Sequence, residues 1–90
     1  MTGLQTIEKL INENRLEEAV AKLSEIIVAQ PDNDEAYFMR GRVYQRMQNR
    51  PAAVSDYERA VALNPDSGAR MALELARDVF NFFNPDLLNP

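Results

Sequence analysis

An all-α chain, two helical hairpins followed by a lone final helix, is the fold class that these 90 residues predict. Three observations predict it. Apolar residues recur three and four apart through five stretches, the period of a helix with one face on a core. Between the stretches lie four short polar breaks, three of them with a proline, and proline disfavours helix in the residue before it. The second hairpin also echoes the first at a fixed shift of 34: Ala19 answers Ala53, Val20 answers Val54, Leu23 answers Tyr57, and Pro31-Asp32 answers Pro65-Asp66. One supersecondary unit used twice is how stacked helical arrays, or α-solenoids, are built.

In order, residues 2–12 put Leu4, Ile7, Leu10 and Ile11 on one stripe with Glu8 and Lys9 opposite, until Asn12 to Arg15 interrupts the pattern. Residues 16–29 carry Leu16, Ala19, Val20, Leu23, Ile26 and Ile27 at the same period, closed by Gln30-Pro31-Asp32. Residues 34–67 hold the clearest hairpin. Tyr37, Gly41 and Tyr44 recur before the break at Gln48 to Pro51, and Ala53, Tyr57 and Ala60 recur after it. Small side chains at Gly41, Ala53 and Ala60 suit two helices that approach closely, and the Tyr44 and Tyr57 rings suit the gap left between them. Asp32 or Asp34 is placed to cap the helix beginning near Glu35, and Ser67 the one after. Pro51 fits a first helical turn, where a missing N–H costs nothing. The fifth helix, from Gly68 to about Phe83, is predicted to bury Met71, Ala72, Leu75, Ala76, Val79, Phe80 and Phe83. Pro85 stops it. The tail, 84–90, carries Leu87 and Leu88, which with Phe82 are costly to leave wet at roughly 25 cal/mol per Å2 of apolar surface. The tail is therefore expected to fold back on the body, or else to dock into a second copy, with a free tail the least favoured outcome.

The stretch 34–67 resembles a tetratricopeptide (TPR) repeat, whose signature is W-x2-L-G-x2-Y, then A-x3-F, then P, over about 34 residues. Tyr37, Gly41 and Tyr44 stand for the first-helix positions, Ala53 and Tyr57 for the second-helix pair, and Pro65 for the closing proline. Arg40 departs, standing where the signature has leucine. Its aliphatic stem is expected to cover the same surface with the charge at the rim. The resemblance implies a single domain over 1–90: TPR-like hairpin repeats at 2–33 (degenerate, with Ile7 at the glycine's place) and 34–67, and a C-terminal capping helix at 68–83. It also implies right-handed stacking, with the first helix of each repeat lining a concave face.

Composition excludes several function classes. Ninety residues allow one domain, and neither cysteine nor histidine occurs, which removes disulfides, thiolate metal sites and the commonest general acid-base residue. There is no glycine-rich phosphate cradle or Walker-type lysine. The carboxylates Glu17, Glu18, Glu25, Glu58 and Glu74 are scattered at helical positions that solvated faces explain. Asp32-Asn33-Asp34-Glu35 resembles the opening of a calcium loop, but Ala36 and Phe38 occupy places that need ligands, so helix capping accounts for it. No catalytic residue, metal or cofactor is expected. The start, MTGLQTIEKL, lacks the pattern of a secretory signal, and no apolar stretch approaches a membrane span, so a cytoplasmic protein is expected. A net charge of −4 opposes attraction to nucleic acid or anionic lipid.

Charge is unevenly spread. From Arg40 to Arg50 there are four arginines and no acid, a window of +4 in a chain whose remainder sums to −8. Arg42 and Arg46, four apart, point the same way on a helix, with Glu35, Phe38 and Gln45 on neighbouring ridges. Under the TPR resemblance Glu35, Phe38, Arg42, Gln45 and Arg46 would line the concave groove, where arginines beside an aromatic suit a carboxylate-bearing peptide. The competing account pairs the arginines with Glu8 and Glu13 of the first helix, or leaves them solvated. The lysine–asparagine clamp with which some TPR proteins hold chaperone tails is not reproduced, since Leu4 and Glu8 lie at two of its places. The expected function is a non-catalytic protein–protein interaction module for a peptide or partner helix, preferentially an acidic one, with RNA binding disfavoured by the overall charge. The alternative is a self-associating protein that uses Phe82, Phe83, Leu87 and Leu88 as a homodimer interface, because stacked repeats need about three units to bury enough core.

Overall fold

The computed structural model of the chain describes the backbone of residues 3–82 and the side chains of residues 4–77. Among the described residues there are five helices and no strand: α1 (Gly3–Asn12), α2 (Leu16–Ala29), α3 (Asp34–Arg46), α4 (Arg50–Leu63) and α5 (Ala69–Phe82). Each packs on the next. The fold is all-α, as the periodicity predicts.

The turns repeat as the side chains do. Asn14 and Gln48, the same position in the two hairpins, both take positive φ, 60° and 61°. At each, amides return to the preceding helix: Asn14 N–H donates to the Ile11 carbonyl (2.9 Å) and Arg15 N–H to Leu10 (2.8 Å), while Gln48 donates to Gln45 (3.0 Å) and Asn49 to Tyr44 (2.8 Å). This left-handed closure satisfies last-turn carbonyls that otherwise lack partners. Asparagine accepts that conformation more easily than glutamine. The link from α2 to α3 also matches the link from α4 to α5, with Gln30 N–H donating to Ile26 (2.7 Å) and Asn64 N–H to Ala60 (2.9 Å). The cap of α3 is neither aspartate expected from the sequence. Asn33 lies immediately before the first helical residue, and its Oδ1 accepts from Ala36 N–H at 3.1 Å. Asp34 is already helical and instead accepts from Asn64 Nδ2 (3.2 Å). Ser67 does cap α5, its Oγ accepting from Ala69 N–H at 3.1 Å, and Pro51 lies in the first turn of α4.

Two apolar clusters share α3. Ala36, Met39 and Val43 turn toward Ile7, Leu10 and Ile11 of α1 and Ala19 and Leu23 of α2. Tyr37, Phe38 and Tyr44 pack against Ala53, Tyr57 and Ala60 of α4 and Ala69 and Leu73 of α5. The tightest point lies at Gly41. A Cβ there would stand 2.6 Å from Tyr57 Cε1 and 3.2 Å from the Ala53 carbonyl oxygen, well inside contact distance. In the first hairpin the same two places hold Ile7 and Leu23, also buried, so the bulk is carried by the other helix of the pair.

Helix α5 turns only part of its expected face inward, Ala72 and Ala76 but not Met71 or Leu75. Ala69, Leu73 and Ala76 are buried, whereas Met71 and Leu75 are 70% and 59% exposed. Alanines every third or fourth residue let α5 approach α4 closely, and that preference outweighs the larger side chains of the next stripe. The expected burial of Val79, Phe80 and Phe83, and the fold-back of the tail at 84–90, fall outside the described side chains.

Exchange of bulk between Gly41 and Tyr57 is testable. Gly41→Ile alone overpacks the α3–α4 contact and Tyr57→Leu alone leaves a void, each expected to cost about 1–3 kcal/mol. The double variant, which copies Ile7 and Leu23, is expected to lose less than the sum of the two by about 1 kcal/mol or more. Urea denaturation of the four proteins measures this coupling, and strict additivity would contradict the packing described.

Candidate functional site

The first helix of the second hairpin supplies most of the candidate site. Arg42, Gln45 and Arg46 lie on the side of α3 that faces α1, where with Ile11 and Val43 they line a shallow depression of about 330 Å3. The structure thus gathers three of the five residues predicted for a groove. Phe38 lies one turn earlier and is only half open. Its ring meets the Tyr57 ring edge-on (centroids 6.1 Å apart, planes at 60°), and its rim abuts the start of α5, where a Cβ on Gly68 would stand 3.0 Å from Phe38 Cε2. The Arg42 guanidinium lies over the Phe38 ring, 5.8 Å from its centroid. Glu35 is exposed in the first turn of α3 and does not line the depression.

The pairing of these arginines with α1 is not realised. Among the described residues neither Arg42 nor Arg46 has an ion-pair partner; Glu13 is met by Arg15 (3.4 Å), which also bridges Glu18 (2.6 Å). Gln45 is held from below. Its Oε1 accepts from the Tyr57 hydroxyl at 2.7 Å, and Tyr57 itself is fully buried. Burial raises the Tyr57 pKa above the ordinary tyrosine value; Arg42 opposes that shift and Asp56 reinforces it.

Arg40, the departure from the signature, is not at the rim. Its guanidinium donates to both carboxylate oxygens of buried Asp56 (Nε to Oδ2, 2.7 Å; Nη2 to Oδ1, 2.8 Å) and to Ser24 Oγ (3.1 Å). It also stacks between Tyr37 and Tyr44, 5.7 and 5.9 Å from their centroids. Donating hydrogen bonds to the Asp56 carboxylate raises the Arg40 pKa against the opposing effect of burial. Arg40 therefore joins α2, α3 and α4, a role sequence reasoning missed. The signal was an acid, Asp56, on the buried stripe of Ala53, Tyr57 and Ala60, opposite an arginine where an apolar residue belongs. A wider depression of about 560 Å3 beside this pair, lined by Tyr37, Arg40, Asp56, Glu58 and Arg59 among others, mixes both signs of charge.

Of the residues predicted for self-association, Phe82 ends α5 with its side chain outside the described residues, and Phe83, Leu87 and Leu88 lie outside them altogether. Among the described residues no group of three or more metal-ligating side chains gathers, and no helix is long and apolar enough to cross a membrane.

Stacked helical hairpins with a small-residue seam define a class of repeat protein, and comparison names it. The family model for the tetratricopeptide repeat matches residues 34–67, and the second hairpin is a repeat of that family. The family is generally one of non-catalytic protein-interaction repeats. The chain is 31% identical over 70 residues to the DnaJ homolog subfamily C member 7 homolog of Dictyostelium discoideum; the match covers 78% of this chain but 12% of that protein's length. The solution NMR structure of Bacteroides fragilis protein BF1650 superposes with a TM-score of 0.88 at 38% identity, covering 99% of this chain and 91% of that one.

Removing one member of the Arg40–Asp56 pair leaves the other charge partly buried and uncompensated. Asp56→Ala is expected to cost about 2–4 kcal/mol, whereas Asp56→Ala combined with Arg40→Leu, the residue of the signature, is expected to recover most of that loss. Thermal unfolding of the two variants decides it; a double variant no more stable than the single would count against the pairing.

Proposed function

We propose that the chain is a non-catalytic protein-interaction module that holds a short acidic peptide, or one face of a partner helix, across the concave side formed by α1 and α3. In this reading residues 2–33 and 34–67 are two repeats and 68–83 a capping helix. One observation carries the proposal: Arg42 and Arg46 flank an open depression and have no ion-pair partner among the described residues, within a chain that is otherwise strongly acidic. Two unneutralised guanidiniums on one ridge offer forked hydrogen bonds to carboxylates. Because the helices position them in advance, little ordering is needed on binding. Phe38 supplies the apolar edge and Arg42 stacks on it. Glu35 would lie at the entrance, disfavouring an acid there.

Co-purification from the native cell extract, followed by titration of the recovered protein, tests this reading. The double change Arg42→Ala, Arg46→Ala is expected to weaken binding about tenfold or more, since hydrogen bonds to charged groups are among the strongest a surface can offer. Unchanged affinity would take the groove out of the mechanism.

Exposure of Met71 and Leu75, one turn apart on α5, favours a second reading, that the chain self-associates through this helix with Phe82, Phe83, Leu87 and Leu88. The two readings are compatible, because pairing through α5 leaves the α1–α3 face open. Light scattering over a concentration series is expected to show a dimer that the changes Met71→Lys, Leu75→Lys dissolve. A monomer that persists at high concentration would remove this reading.

A further inference from the structure

We infer that the buried hydroxyl of Tyr57 makes the α1–α3 depression a site of hydrogen-bond donors alone, a seat for a carboxylate side chain of a bound protein segment; this rests on the groove reading above and specifies it. The hydroxyl has one proton and lies where water does not reach, so it needs an acceptor. Gln45 Oε1, at 2.7 Å, is that acceptor. With its oxygen engaged by the Tyr57 hydroxyl, the amide is left with its NH2 to offer at the depression that Gln45 lines. The polar side chains of the depression are then two guanidiniums and an amide NH2. All donate and none accepts. Ile11 and Val43 complete the wall with apolar surface. A ligand group that satisfies this set must be an acceptor, and the charge on Arg42 and Arg46 asks that it be an anion.

The first hairpin provides an internal comparison. At a shift of 34, Leu23 stands at the place of Tyr57 and Ile11 at the place of Gln45. Where no hydroxyl lies beneath, the residue above is apolar; where the hydroxyl is present, the residue above is an amide. Packing does not require the hydroxyl, since the TPR signature has phenylalanine there. Its use here is to orient Gln45. A carboxylate fits better than a polyphosphate backbone. The depression is small, about 330 Å3, it has an apolar side, and the rest of the chain, at −8, repels a dense run of phosphates.

Two blocked seven-residue peptides test the inference, one with a central leucine flanked by glutamates and one with glutamines in their place. They would be titrated into the full chain while the amide resonances of Ile11, Arg42, Gln45 and Arg46 and the side-chain NH2 of Gln45 are followed by NMR. The glutamate peptide is expected to shift these signals and to bind roughly tenfold tighter than its glutamine counterpart. Tyr57→Phe, which keeps the ring, is expected to reduce that selectivity about threefold or more, chiefly by weakening the glutamate peptide. Gln45→Glu leaves the core untouched and is expected to abolish the selectivity, so it carries the test if Tyr57→Phe fails to fold. Equal binding of both peptides at these residues would overturn the carboxylate assignment and the acidic preference, while leaving the α1–α3 face as a binding groove. Shifts confined to other surfaces, or none at all, would overturn the assignment, and the fate of the groove would then be read from the Arg42, Arg46 titration. Selectivity unchanged in Tyr57→Phe and in Gln45→Glu would overturn the role of the hydroxyl.

Discussion

The missing side chain at Gly41 is the constraint from which the second hairpin follows. Tyr57 places its ring where a Cβ on Gly41 would otherwise stand, 2.6 Å from Cε1, so α3 and α4 come close only because that position is bare. A ring seated there carries its hydroxyl along α3, and Gln45, one turn beyond Gly41 on the same ridge, is the residue it reaches. The Tyr57 ring also meets the edge of Phe38, and Phe38 abuts Gly68 at the entry to α5. Interhelix spacing, the polarity above it and the seat of the last helix are therefore one connected arrangement.

The first hairpin meets the same requirement by the opposite allocation of volume. Ile7 fills from α1 what Tyr57 fills from α4, and Leu23 yields the room; both are buried. Interiors are close-packed, so bulk withdrawn on one side has to be restored on the other. The two solutions are not equivalent on their outer side. A leucine offers nothing polar to the helix above it and a tyrosine offers a hydroxyl. The two walls of the depression differ accordingly, Ile11 on α1 and Gln45 on α3.

The architecture was legible in the sequence because its causes are local or periodic. Helical spacing, proline breaks and the shift of 34 depend on residue order alone, and Gly41, Ala53, Tyr57 and Ala60 are buried as the close-approach pattern predicts. What was not legible depends on partners distant in sequence. The Arg40–Asp56 bond spans sixteen positions, and an arginine in a basic window reads as surface charge until its partner is in view. That window divides three ways in the fold: Arg40 goes inward, Arg42 and Arg46 line the depression, and Arg50 begins α4. The face of α5 was legible only in part, for another reason. Two adjacent stripes were both apolar, and periodicity does not say whether bulk or close approach decides which one is buried. At the site, the helical ridge of Arg42 and Arg46 was evident, but the hold on Gln45 came from a residue on the neighbouring helix.

Apolar packing sets how closely the helices approach, but outside the Gly41–Tyr57 contact it is non-directional and says little about their axial position. Directional bonds supply what packing leaves open. Arg40 is tied at once to Ser24 on α2 and to Asp56 on α4, and it stands between the two apolar clusters that share α3. Sliding α3 past α4 by a turn would break a charged bond to a buried carboxylate, which costs more than forming the pair returns in net stability, and sliding α2 would break the bond to Ser24. Asn64 and Asp34 add a weaker tie between the end of α4 and the start of α3. The outer face of α3 is thereby held in register against α2 and α4, and α1, packed with them in the first cluster, presents Ile11 opposite Arg42 and Arg46. The Arg40–Asp56 pair, outside the α1–α3 depression, thus helps to fix the geometry of the residues proposed to bind a ligand.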